Sequence, residues 1–291
     1  MTLLDMPLVI TRFARISKTA ARTFMAKDGF FLASGLSFEI LLSCIPFFFL
    51  LVSALGFLLA GSDRALAAVQ VVLQQLLPAS HLTFAEALPV IAARRELLGF
   101  TGVVLLFFFG SGTLGSIRNV LNVIFEAPRQ RNIFFAKGMD LLMMLTVSGL
   151  FIMSIVIGAL IAFLRGVSDH VPIIGAWLQS GGTLAMSAAG FLLTFLLFFL
   201  LYRFCPARTL GRSSLIFSSL LGAILFELSK QVFSLYVSMA HTYTALFGAM
   251  SGLFFFFLWV YYASLVFILS AIIGRALDQE PPASSDFHTT A

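Results

Sequence analysis

The sequence predicts an all-α polytopic membrane protein with six transmembrane helices, and three observations carry that prediction. Charged residues make up 11% of the 291-residue chain, while 60% are hydrophobic and 34 are Phe. That charge content is less than half the ~25% of an ordinary soluble domain. Segments such as 47–60 and 253–273 leave no face for water. The few basic residues recur between the apolar runs, on alternate sides of a bilayer.

The elements follow in chain order. Residues 8–27 set Leu8, Phe13, Ile16, Ala20 and Phe24 on one helical face with basic groups between them. This pattern predicts an amphipathic helix lying in the membrane interface. Six stretches, near 29–60, 97–126, 138–165, 182–204, 212–238 and 245–275, approach or exceed the ~20 residues that cross a ~30 Å hydrocarbon core. Backbone groups in lipid must be satisfied internally, so these runs are helices, and the lack of period-two alternation argues against a barrel. The loop 61–96 is expected to fold as short helices, one over Arg64–Leu77 ended by Pro78 and one around Thr83–Arg94. Residues 1–277 are expected to form one transmembrane domain, with 278–291 a polar, disordered cytoplasmic tail.

Orientation comes from the basic residues. With the N-terminus inside, the inner segments carry twelve: Arg12, Arg15, Lys18, Arg22, Lys27, Arg129, Arg131, Lys137, Arg203, Arg208, Arg212 and Arg275. The outer segments carry four, Arg64, Arg94, Arg95 and Arg165, with Arg118 and Lys230 left inside spans. The positive-inside rule therefore places both termini in the cytoplasm. The net charge of +5 reflects this bias and attraction to anionic lipid, not nucleic-acid binding. No cleavable signal is expected, because a basic stretch precedes a first span that serves as its own anchor. Cys44 and Cys205 suit neither a disulfide nor a metal site.

Functional residues are sought among the polar groups inside the spans. A charge at mid-membrane costs roughly 2.5–3.5 kcal/mol, so it normally faces the bundle or a wet cavity. Here such groups share helical faces: Ser111, Gly115, Arg118, Asn119, Asn122 and Glu126 in span two, and Ser219, Ala223, Glu227, Lys230, Gln231, Ser234 and Ser238 in span five. Span one adds Gly35, Glu39, Ser43 and Pro46, and span four Thr183, Ser187, Gly190 and Thr194. The expectation is a polar-lined cavity or groove, with helix–helix glue as its rival. Glu39, Ser43, Arg118, Asn119, Asn122, Glu227, Lys230 and Gln231 are the candidates for the substrate path. Their depths predict a Glu39–Arg118 contact and an i,i+3 pairing of Glu227 with Lys230, against a Lys230 that merely snorkels. Pro46 is expected to kink span one, and Gly248 and Gly252 to pack helices closely.

Several blocks resemble the YihY/virulence-factor BrkB family of bacterial inner-membrane proteins: LSFEILLSCIPFFFL (36–50), GSIRNVLNVIF (115–125), LYRFCPAR (201–208), GAILFELSKQVFSLYV (222–237) and the aromatic run 247–271. The resemblance covers roughly residues 20–277. It implies a six-helix protein with both ends cytoplasmic, associated with serum resistance and envelope integrity and discussed as an exporter of lipid or other envelope material. This sequence departs from the pattern in having Glu39 where an aromatic or hydroxyl residue is usual, Phe247 where Tyr is usual, and Ser270-Ala271-Ile272 where Gly-Ala-Glu is usual.

The expected function is therefore transport or lipid handling, with membrane lipids as partners and a lipid or amphipathic molecule as substrate. A structural scaffold, including a homo-oligomer, is the alternative. An enzyme such as the ribonuclease named for some relatives is not expected. Phosphodiester hydrolysis needs clustered metal ligands, whereas His81, His170, His241 and His288 are scattered and no HxH, HExxH or DxD occurs. No metal, no cofactor and no ATP motif is expected.

Overall fold

The structure is a computed structural model that describes residues 6–60, 93–127, 138, 142–150, 153, 183–239 and 249–279. Among these residues it is helical throughout its regular elements, with α1 (Met6–Ala26), α2 (Gly29–Ala60), α3 (Arg95–Phe125), α4 (Thr183–Phe204), α5 (Arg212–Met239) and α6 (Ala249–Gln279). Residues 142–150 add a helical stretch inside the expected third span, whose remaining length lies outside the described residues except at 138 and 153. Among the described residues five helices, α2 to α6, are long and apolar enough to cross a membrane. The short helices expected in 61–92 and the histidines also lie outside the described residues.

The chain divides into two compact units. One holds Phe38–Thr113, and the other Met1–Ser37 with Leu114–Ala291. The division cuts α2 and α3, each of which is one continuous helix. In the smaller unit these helices pack antiparallel through small residues. Thr113 Oγ1 donates to the Glu39 carbonyl at 2.9 Å and shares a 2.6 Å hydrogen bond with Ser43 Oγ. Farther along, a Cβ on Gly102 would stand 3.0 Å from Leu50, and one on Gly99 2.7 Å from Ser53 Oγ. Ser53 Oγ donates to the Arg95 carbonyl at 2.7 Å, and the Arg95 guanidinium lies over the Phe57 ring. In lipid such hydroxyls and glycines let backbones approach where apolar burial gives little drive. Pro46 sits buried inside α2, which runs through it unbroken. Lacking an N–H, it deprives the Leu42 carbonyl of its helical partner.

In the larger unit, α5 packs on α4 and α6, and α1 packs on α6. Ile16, Ala20 and Phe24 of α1 are buried. The protein itself therefore covers the described part of this helix's apolar face. The side chains of Leu8 and Phe13 lie outside the described residues. Periodicity marks an apolar face but cannot say what covers it. The corner into α2 is tight, with Asp28 at φ 50° and a Cβ on Gly29 due to strike the Phe24 ring at 2.5 Å.

Buried hydroxyls tie α4, α5 and α6 together. Tyr202 donates to the Phe267 carbonyl at 2.7 Å and meets Ser270 Oγ at 2.7 Å, while Ser218 donates to the Ser270 carbonyl at 2.7 Å. Gly274 admits the Ser218 side chain, and Gly222 admits the Phe198 ring, itself boxed by Tyr202, Phe226 and Phe267. Helix α6 continues to Gln279, and Asp278 Oδ1 accepts the Gly211 N–H at 2.8 Å at the start of α5. Residues 278 and 279 thus belong to the folded bundle, while the remainder of the expected tail lies outside the described residues.

Gly222→Val places methyl groups into the Phe198 ring and is expected to cost about 1–3 kcal/mol by overpacking. A Cβ on Gly115 meets nothing within 4 Å, so Gly115→Ala is expected to stay within about 1 kcal/mol. Thermal unfolding of the purified variants measures the difference.

Candidate functional site

Among the described residues, the charged candidates of the spans fall into three clusters. The first lies in the smaller unit, at Glu39. Its half-buried carboxylate places Oε2 3.2 Å from where a Cβ on Gly112 would stand. A side chain at Gly112 would press on the carboxylate and make it give by a few tenths of an ångström. Ser43, one turn on, is engaged with Thr113. Thr113 was not singled out in the sequence, and its i+2 offset from Ser111 keeps it off the stripe of α3.

The second cluster joins α4 and α5. Lys230 Nζ lies 2.6 Å from Glu227 Oε1, with the two side chains 43% and 32% exposed. Thr194 Oγ1 of α4 reaches the same carboxylate oxygen at 3.5 Å, and the ammonium sits 5.6 Å from the Phe226 ring centroid. The i,i+3 spacing brings these side chains onto one face, so the cation meets its counter-ion on its own helix. Gln231 is exposed beside them. Thr194 was read from sequence only as part of a small-residue stripe. Its contact to Glu227 adds a donor to the pair.

The third cluster stands at the end of α3, in the larger unit. Arg118 Nε donates to the Cys205 carbonyl at 3.3 Å, and Asn122 Oδ1 accepts the Ala207 N–H at 2.8 Å. These two path candidates thus hold the short connection from α4 to α5, and the 115–125 and 201–208 blocks interlock. Asn119 is exposed. Helix α3 ends with Glu126 at φ 50° and the Ala127 N–H donating to the Asn122 carbonyl at 3.0 Å. That is the left-handed closure in which a glycine is usual.

Two cations cover this end. Lys27 Nζ donates to the Val123 carbonyl at 2.7 Å and to Glu126 Oε1 at 3.0 Å. Arg275 Nη1 donates to the Ile124 carbonyl, and Nη2 to Glu126 Oε2 at 2.6 Å. Gln279, with its amide oxygen turned inward, accepts from Arg275 Nε at 3.2 Å. Cations at the negative end of a helix contribute about 0.3–1 kcal/mol each. Hydrogen bonds from Lys27 and then Arg275 hold the Glu126 carboxyl below the ordinary range. Sequence reading placed Lys27 and Arg275 only as cytoplasmic-side charges. No local signal links positions 96 to 151 residues apart.

Gly248 lies outside the described residues, and Gly252 falls in the first turn of α6, so close packing at this pair is not part of the described structure. Among the described residues no group of three or more His, Cys, Asp or Glu side chains is placed to hold a metal.

The family model described as Virulence factor BrkB matches residues 20–290. A UPF0761 membrane protein of Chlorobium phaeobacteroides is 29% identical over 89% of this chain, which spans about half of that relative, 56%. UPF0761 membrane proteins of Pseudoalteromonas atlantica and Vibrio atlanticus are 25% and 27% identical over 87% and 85% of the chain, covering 82% and 77% of their lengths. No solved structure matches the chain.

A depressed carboxyl stabilises the fold fully above its unfolded pKa, roughly 4.3, and loses that contribution as pH falls through the folded value. The wild type is therefore expected to melt above Glu126→Gln at pH 6–7, with the gap closing below about pH 4. Melting temperatures of both purified proteins from neutral pH to pH 3 measure this, and a gap constant over that range would show that the charge of Glu126 is not its source.

Proposed function

The chain belongs to the virulence factor BrkB family of membrane proteins, and on that premise we propose that it is a transporter or lipid-handling protein of the bacterial cell envelope. Its place is the inner membrane, with both termini in the cytoplasm. The single observation that carries the reading is the Glu227–Lys230 pair. It stands on a membrane-length helix, with a hydroxyl donor from α4, the carboxylate 32% and the ammonium 43% exposed. Ionic groups on a spanning helix normally serve a ligand or a hydrated path. The pair leaves each ion partly open, so a charged group of a substrate can exchange for the internal partner without leaving either bare.

Glu39 and Arg118 are the further candidates for the path in this reading. The substrate fits best as an amphipathic molecule, because a polar head can travel along the ionic faces while apolar chains stay in lipid. No cofactor or metal is invoked. Membrane lipids are the partners, and a second copy of the chain is compatible with the small-residue faces.

A scaffold role is the second reading, favoured by one specific observation: Arg118 and Asn122 already spend hydrogen-bonding groups on the connection between α4 and α5.

The test is complementation of a deletion strain, reading detergent or serum sensitivity beside protein abundance. Glu227→Ala is expected to abolish complementation at unchanged abundance. Arg118→Ala separates the readings: loss of function at normal abundance places it on the path, and parallel loss of both assigns it to the fold.

A further inference from the structure

Helix α1 contains no acidic residue, and its described side chains form two opposed faces. Ile16, Ala20 and Phe24 make the buried one, and α1 packs on α6. At 100° per residue, Arg15, Lys18, Arg22 and Met25 share about 80° of arc centred opposite that face. All four are exposed. Among the described residues no carboxylate meets these three cations, and their side chains make no hydrogen bond. The Glu126 carboxylate is already taken by Lys27 and Arg275.

The same line of side chains runs into the membrane. Met25 is 64% exposed, and Phe31, in the first turn of the span Gly29–Ala54, is 78% exposed. In a chain that crosses a bilayer, such apolar groups lie against hydrocarbon rather than water. By helical rise Arg22, Lys18 and Arg15 stand about 5, 11 and 15 Å back along α1 from Met25. Long basic side chains so close to the apolar boundary carry their charges to the head groups. An ordinary interfacial helix sinks its apolar face into lipid. Here that face is covered by the protein, and the cations are turned outward.

We propose that the Arg15, Lys18 and Arg22 face of α1 binds anionic phospholipid. The three cations pair with head-group phosphates, and Met25 rests on the acyl chains. Charge complementarity selects the partner: a helix with cations and no acid is drawn to a negatively charged lipid surface. A zwitterionic head offers it no net attraction. The proposal rests on the lipid partner of the reading above and not on transport.

The test uses the full chain with Thr19→p-benzoylphenylalanine, a photo-crosslinker at an exposed position between Lys18 and Arg22. It is reconstituted in phosphatidylcholine vesicles with a minor fraction of phosphatidylglycerol, illuminated, and the adducts are identified by mass. Phosphatidylglycerol adducts are expected severalfold above their mole fraction. The enrichment should fall in high salt and vanish in Arg15→Gln/Lys18→Gln/Arg22→Gln, with an unchanged melting temperature. Arg15→Lys/Arg22→Lys should keep it, because the charge remains. Adducts that follow mole fraction, or enrichment that survives the triple substitution, would overturn the proposal. So would illumination of living cells that yields a protein adduct in place of lipid. Enrichment that persists in Glu227→Ala upholds this surface whatever that variant does in cells, so the two readings fail separately.

Discussion

The constraint on which the larger unit depends is the end of α3. A helix finishing at the membrane boundary leaves carbonyls that lipid cannot satisfy, and here they are met by Lys27 from the α1–α2 corner and Arg275 from the last turns of α6. Glu126 completes the arrangement by accepting both cations, at the cost of a left-handed backbone that a glycine would adopt more easily. A glycine there would relax the chain and lose the carboxylate. With one residue serving as helix terminator and counter-ion, three chain segments are fixed at one point, and Arg118 and Asn122 fasten the α4–α5 connection just beneath it.

That arrangement changes the weight of the polar stripe on α3. From composition alone its members look equivalent. In the structure Asn122 and Glu126 are engaged with backbone and ion partners at the helix end, while Glu227 and Lys230 on α5 meet each other, Thr194 and the Phe226 ring. Cohesion is thus concentrated at the end of α3, and the partly exposed ion pair stands apart from it on α5.

Long elements were legible because their cause is local. Apolar runs bounded by charges give α2 its limits and α5 its limits within a residue, and the i,i+3 spacing gives the Glu227–Lys230 pair. The α1 helix was legible, but its burial against α6 was not, since lipid and protein both select an apolar face. The Tyr202–Ser270–Ser218 network was invisible for another reason: serine and tyrosine in a span read as small or interfacial residues until a partner helix supplies the carbonyl. Likewise Asp278 looked like the start of a polar tail, although it receives the Gly211 N–H from the neighbouring helix.

The separation between Lys27, Glu126 and Arg275 also sets an order on biogenesis. During synthesis Lys27 reaches Glu126 only after α2 and α3 have threaded the bilayer, and the second cation does not exist until nearly every helix has been made. The bonds of Arg275 to Ile124 and Glu126 span 151 and 149 residues, and contacts so distant in the chain form late. Until then the carboxylate of Glu126 and the last carbonyls of α3 must be met by water or by lipid head groups.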